Sequence, residues 1–149
     1  MSLNEITAIL KLADPFQTLD DEQLKLIGFV SDARSLAANE VLFSEGAIAD
    51  GAYILVSGAL QSTHEGAATE GPILRDKGTT FGELALIVDK PRPATVTALS
   101  DSELVFVPRK HFKRLMENYP ELAAKVAARI KMSIPRYVHA LRAADVRSS

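Results

Sequence analysis

The sequence predicts a mainly-β domain with helices at both ends, its strands forming an antiparallel barrel or sandwich. Three observations predict it. Helical spacing of apolar residues is confined to residues 1–30 and to the stretch after Pro108. Between about residues 40 and 107 the apolar residues come in short runs instead. Gly46, Gly51, Gly58, Gly66, Gly71, Gly78 and Gly82 punctuate those runs at fairly regular spacing.

Leu3, Ile6, Ile9, Leu10 and Leu12 recur at helical spacing, and Pro15 ends that helix. Asp20 is placed as the N-cap of a second short helix, with Gln23 as its capping-box partner. Leu24, Ile27 and Val30 are its buried stripe. The strand candidates follow: 41–43, 52–56, around Leu60, 73–74, 94–99 and 104–107. After Pro108, Phe112, Leu115 and Met116 make a helical stripe that Tyr119-Pro120 interrupts. Leu122, Val126, Ile130 and Ile134 carry the next helix. Pro135 is expected to kink it, Tyr137, Val138 and Leu141 to continue it, and residues 144–149 to fray. The expected organisation is one domain over 1–149: N-terminal helices at about 3–30, a strand core at about 40–107, and C-terminal helices at about 109–143.

Composition narrows the function. The chain has 149 residues and no cysteine, which removes disulfides, thiolate metal sites and cysteine nucleophiles. No apolar run approaches the roughly 20 residues that cross a bilayer, and the start lacks the pattern of a signal peptide. A cytoplasmic location without membrane insertion is the expectation. Net charge is −2, but residues 1–108 carry 16 acids against 7 bases and residues 109–149 carry 10 bases against 3 acids. The basic tail either packs on the acidic body or a neighbouring subunit, docks on an acidic partner, or is a solvated face. His64, His111 and His139 are far apart in sequence and lack acidic ligands at metal spacing. The serines lack a nucleophile-elbow context. Neither a metal site nor an enzyme is expected.

The informative segment is Phe81 to Ala98, FGELALIVDKPRPATVTA. Gly82 lets the backbone approach a ligand closely. Glu83-Leu84-Ala85-Leu86 can form one helical turn whose free N–H groups suit a phosphate. Arg92 follows about nine residues later and can grip a phosphate oxygen. Glu83 repels phosphate but can accept hydrogen bonds from sugar hydroxyls. The two ends together point to a small phosphorylated sugar.

These residues resemble the phosphate-binding cassette of the cyclic-nucleotide-binding domain family. That family includes the sensor domain of the bacterial catabolite activator protein, the protein kinase A regulatory subunits and the cyclic-nucleotide-gated channels. The family pattern is Phe-Gly-Glu-aliphatic-Ala/Ser-Leu, a gap, then Arg-x-Ala. Here it reads Phe81-Gly82-Glu83-Leu84-Ala85-Leu86 and then Arg92-Pro93-Ala94. A second block, Phe43-Ser44-Glu45-Gly46 followed by Asp50-Gly51-Ala52-Tyr53 and Gly58, is similar to the family's first strands. The resemblance runs over roughly residues 18–140. It implies an antiparallel β-roll or jelly roll, a cupin-like double-stranded β-helix, with hinge and lid helices at the C-terminal end.

The resemblance also implies roles. Glu83 takes the place of the glutamate that holds the ribose 2′-hydroxyl, and Arg92 that of the arginine that pairs with the cyclic phosphate. The backbone around Gly82, Leu84 and Ala85 completes the cradle, and Ala94 takes the small position after the arginine, packed in the cassette. Pro93 departs from the pattern. That position usually offers its N–H to the phosphate, and proline has none. Threonine there is often linked to cyclic GMP and alanine to cyclic AMP, so the usual selectivity clue is missing.

The expected ligand is cyclic AMP ahead of cyclic GMP, bound without turnover. The expected output is movement of C-terminal helices toward an unidentified protein partner. The alternative is a degenerate, ligand-free interaction module. The 120–141 stripe either covers the strand core or pairs two copies as a homodimer. The chain ends at Ser149, leaving no room for the helix-turn-helix of the family's bacterial regulators, so no DNA contact is expected. The ordinary start at Met1 favours a stand-alone sensor over a piece of a larger protein.

Overall fold

The computed structural model describes residues 1–132. Helix α1 spans Leu3–Leu12, capped by the Ser2 hydroxyl, which accepts the Glu5 N–H at 3.2 Å. Helix α2 spans Asp21–Val30 behind a complete capping box. The Gln23 N–H donates to the Asp20 carboxylate at 2.8 Å, and the Asp20 N–H donates to the Gln23 side chain at 3.1 Å. Both orphan donors are thereby satisfied, as the Asp20–Gln23 spacing predicts.

Eight strands follow: β1 (Asp32–Leu36), β2 (Val41–Phe43), β3 (Gly51–Ser57), β4 (Leu60–Thr63), β5 (Ile73–Leu74), β6 (Thr80–Phe81), β7 (Thr95–Ala98) and β8 (Ser102–Pro108). They form two four-stranded sheets with orders β1-β8-β3-β6 and β2-β7-β4-β5, antiparallel throughout. Helix α3 (Arg109–Asn118) starts directly after Pro108, and a further helix, α4, occupies 120–132. This is the mainly-β architecture with flanking helices that the sequence predicts.

Two cores share the first sheet. Strand residues alternate between faces. On β3, Tyr53 and Leu55 point between the sheets, while Ala52 and Ile54 face the helices. On β8, Leu104 and Phe106 point inward, and Val105 and Val107 outward. Leu10, Phe16, Leu24, Ile27, Phe112 and Ile130 cover the outer face, with Phe16 and Phe112 meeting edge to face at 6.5 Å. Helix α4 is also strapped to the N-terminal helices. The Arg129 guanidinium holds Asp14 at 2.9 and 3.1 Å, and Lys125 reaches Gln23 at 3.2 Å.

The strand region needs one correction. It begins at Asp32, not near residue 40. Strand β1 buries only Leu36 and leaves its first four residues exposed, so no apolar alternation marks it; its pairing with β8 from Asp32–Phe106 to Leu36–Ser102 makes it a strand. Strand β6 has two residues and leaves no periodicity to read. The expectations at Ile134, Pro135, Tyr137, Val138, Leu141 and 144–149 lie outside the described residues.

Candidate functional site

The segment after β6 begins with Gly82, whose φ of 73° and ψ of 18° are left-handed. Glu83–Leu86 then form a 3-10 turn. A left-handed residue followed by right-handed ones curls successive N–H groups into a concavity suited to an anion. The turn closes with the Ala85 N–H on the Gly82 carbonyl at 3.0 Å and the Val88 N–H on the Leu84 carbonyl at 3.0 Å. Leu84 and Leu86 pack into the helix-side core and anchor it from below. Glu83 and Ala85 are both only 5% exposed.

Arg92 is 3% exposed. Its main chain is pinned to the loop between β2 and β3: its N–H donates to the Ala47 carbonyl at 2.8 Å, and its carbonyl accepts the Gly46 N–H at 2.9 Å. Its Nη2 donates to the Gly51 carbonyl at 2.9 Å and to the Asp50 carboxylate at 3.1 Å. The guanidinium lies over the Phe43 ring at 4.3 Å and near Tyr53 at 5.5 Å. Its Nη1 faces Gly82, where an added Cβ would sit 2.5 Å away. Its Nε is buried with no hydrogen-bond partner among the described residues. A buried donor without an acceptor costs about 1–3 kcal/mol, a cost that an acceptor placed against Nε would relieve.

The electrostatics follow from burial. Desolvation pulls the Arg92 guanidinium below its ordinary range, opposed by Tyr53 and Asp50. An arginine remains charged through such a shift. Burial also raises the Tyr53 phenol, as does Asp50, with Arg92 and Arg34 opposing. Tyr53, Phe43, Phe81 and Phe106 form a contiguous aromatic wall, with ring centroids 4.7 to 6.3 Å apart along it.

The structure brings Gly82 and Arg92 into contact, with Glu83 and Ala85 buried in the adjoining turn. The Leu84 side chain packs against the helix-side core. Pro93 is exposed and Ala94 half-buried. The Pro93 carbonyl lies 3.0 Å from His64 Nδ1.

Three contributors escaped the sequence reading. Asp50 and Gly51 hold Arg92 from 42 and 41 residues away. Arg109, the first residue of α3, donates from Nη1 to the Val88 carbonyl at 3.0 Å and, more weakly, to that of Ala85 at 3.5 Å. Its Nη2 meets Asp89 at 3.3 Å. The helix is thus tied to the back of the turn. Beside that tie a groove of about 470 Å³ opens, lined by Leu86, Val88, Arg109, Phe112, Met116 and Val126 among others. It does not reach Arg92. Among the described residues no group of three His, Cys, Asp or Glu is placed to hold a metal ion. No helix among them is long and apolar enough to cross a membrane.

A family model described as the cyclic nucleotide-binding domain matches residues 33–119. The chain is similar to a lysophospholipase nte1 of Aspergillus niger, 30% identical over 122 residues that cover 80% of this chain and 8% of that protein. It is 40% identical over 86 residues to a cAMP-dependent protein kinase regulatory subunit of Aspergillus niger, covering 57% of this chain and 20% of that one. The chain therefore spans a small fraction of the length of these relatives. Among solved structures, a cyclic nucleotide-binding-like protein from Brucella abortus superposes with a TM-score of 0.67 at 32% identity, covering 76% of this chain and 98% of that one. With its cassette turn, buried arginine and matched model, the chain belongs to the cyclic nucleotide-binding domain family.

Proposed function

We propose that this domain is a non-catalytic sensor that binds a cyclic nucleotide, cyclic AMP ahead of cyclic GMP. The observation that carries the reading is Arg92: buried, stacked on Phe43, with Nη1 against the left-handed turn at Gly82 and Nε buried without a partner among the described residues. A cyclic phosphate supplies the acceptor that Nε lacks, and N–H groups at the start of the turn, ahead of the Ala85 N–H that closes on the Gly82 carbonyl, share its charge. Glu83, buried next to that turn, accepts from the ribose 2′-hydroxyl. The preference for cyclic AMP draws on similarity to a regulatory subunit named for that ligand.

Signalling follows from Arg109. Its bonds to Val88 and its pair with Asp89 connect the cassette turn to α3. A ligand that prefers one arrangement of the turn biases the helix to the same degree, and only through that differential affinity. The bias passes through α3 and α4 to a protein partner in the cytoplasm.

A second reading is favoured by two observations. Pro93 has no N–H for the phosphate, and Nη2 of Arg92 is already taken by Asp50 and the Gly51 carbonyl. Under it the domain is a ligand-free interaction module. Calorimetric titration of nucleotide-free protein with cyclic AMP and cyclic GMP decides between them. The sensor reading expects micromolar or tighter binding of cyclic AMP, lost in Arg92→Glu. Folded protein that binds neither nucleotide establishes the second reading.

A further inference from the structure

A polar cluster joins three loops beside Arg92. His64 stands at the end of β4, and its Nδ1 lies 3.0 Å from the Pro93 carbonyl. The same nitrogen pairs with Glu45 Oε1. Glu45 in turn accepts the Glu65 N–H at 3.2 Å, and its own N–H donates to Thr95 Oγ1 at 2.9 Å. The cluster therefore fixes the loop after β2, the loop after β4 and the start of β7 to one another. A carbonyl and a carboxylate only accept, so Nδ1 must carry the proton that both share.

The consequence lies in the peptide plane between Pro93 and Ala94. The proline ring locks φ at residue 93, which leaves its ψ as the open variable. A trans peptide is planar, with its C=O and N–H directed opposite ways. Holding the Pro93 carbonyl on His64 therefore aims the Ala94 N–H away from His64. The preceding carbonyl, that of Arg92, is held by the Gly46 N–H at 2.9 Å. Both peptide planes flanking Pro93 are thereby oriented, one by a backbone donor and one by the imidazole.

We infer that His64 is a positioning residue for the bound phosphate, acting through the Pro93 carbonyl to aim the Ala94 N–H in place of the N–H that proline lacks. This inference rests on the cyclic-nucleotide reading above. Thr95 and Glu45 hold the loops together without touching the Pro93 carbonyl, so the orienting contact belongs to His64.

The test compares cyclic AMP binding by calorimetry in the wild-type chain, His64→Leu and His64→Asn, with urea unfolding of each. Leucine removes the donor, while the asparagine amide puts one back where Nδ1 stood. The expected result is about tenfold weaker binding in His64→Leu, the worth of one hydrogen bond. His64→Asn should return most of that affinity, whatever the leucine variant does to the unfolding midpoint. His64→Leu within twofold of wild type, or an asparagine variant no better than leucine, overturns the inference alone. A wild-type chain that binds no cyclic nucleotide overturns the ligand reading and this inference with it.

Discussion

Replacing Gly82 by alanine attacks the contact on which the site is built. The backbone there has a φ of 73°, a region that costs a side chain about 1–2 kcal/mol. The new Cβ would stand 2.5 Å from Arg92 Nη1, about 1 Å inside ordinary van der Waals contact. The arginine cannot simply step aside. Nη2 is bonded to the buried Gly51 carbonyl at 2.9 Å, and the guanidinium lies on the Phe43 ring. Moving it loosens at least that one charge-assisted bond, worth about 1.5–3 kcal/mol. The pair with Asp50 adds little, because Asp50 is largely exposed. The expected loss is roughly 2.5–5 kcal/mol, a large share of the stability of an ordinary domain. Gly46→Ala is the control. Its φ is 84°, but none of the described residues lies within 4 Å of the added Cβ, so it carries the backbone cost alone. Urea unfolding of both variants isolates the clash as their difference, and calorimetry should show cyclic AMP binding lost only in Gly82→Ala. Equal destabilisation of the two, with binding intact, would refute the packing of Arg92 against the turn.

Pro93→Ala offers the phosphate one more N–H and should tighten cyclic AMP about tenfold or more by calorimetry; unchanged affinity would mean that the ligand does not reach residue 93. Arg109→Met cuts α3 from the Val88 carbonyl and Asp89. It should destabilise the domain by about 1–2 kcal/mol, and hydrogen exchange across Arg109–Asn118 should stop responding to ligand. Tyr53 keeps its proton above the ordinary tyrosine value of 10.0 because it is buried. The unfolded chain loses that proton first, so stability falls as pH climbs above 10.0. Tyrosinate absorbance should show a late step that Tyr53→Phe abolishes.

The legible parts of the sequence were those where chemistry is local. The Asp20–Gln23 box, the apolar runs on β3 and β8, and the glycine ahead of the turn each declare themselves within a few residues. Strand β1 does not, because a mostly exposed strand is defined by its partner and not by its own alternation. The surroundings of Arg92 were hidden for a related reason. Asp50, Gly51 and Phe43 meet it only when β2 and β3 are folded beside the cassette. His64 carries no linear sign of its tie to Pro93, 29 residues away. The charge asymmetry was visible but its use was not. Arg109 and Arg129 pair with Asp89 and Asp14, so part of the basic tail packs on the acidic body. Lys110, Lys113 and Arg114 stay on the exposed face of α3.

The alternation of β3 sets where this chain tolerates added or lost residues. Tyr53 supports the arginine on one side of the sheet, and Ile54 receives the helices on the other. A single-residue deletion inside Gly51–Ser57 would exchange the two audiences at once, sending an aliphatic side chain to the guanidinium and a phenol into the helical core. Residues 68–70 are exposed and belong to no strand. A fluorescent reporter spliced there would leave both faces in register, which makes that loop the natural insertion point for turning the domain into an optical gauge of its ligand.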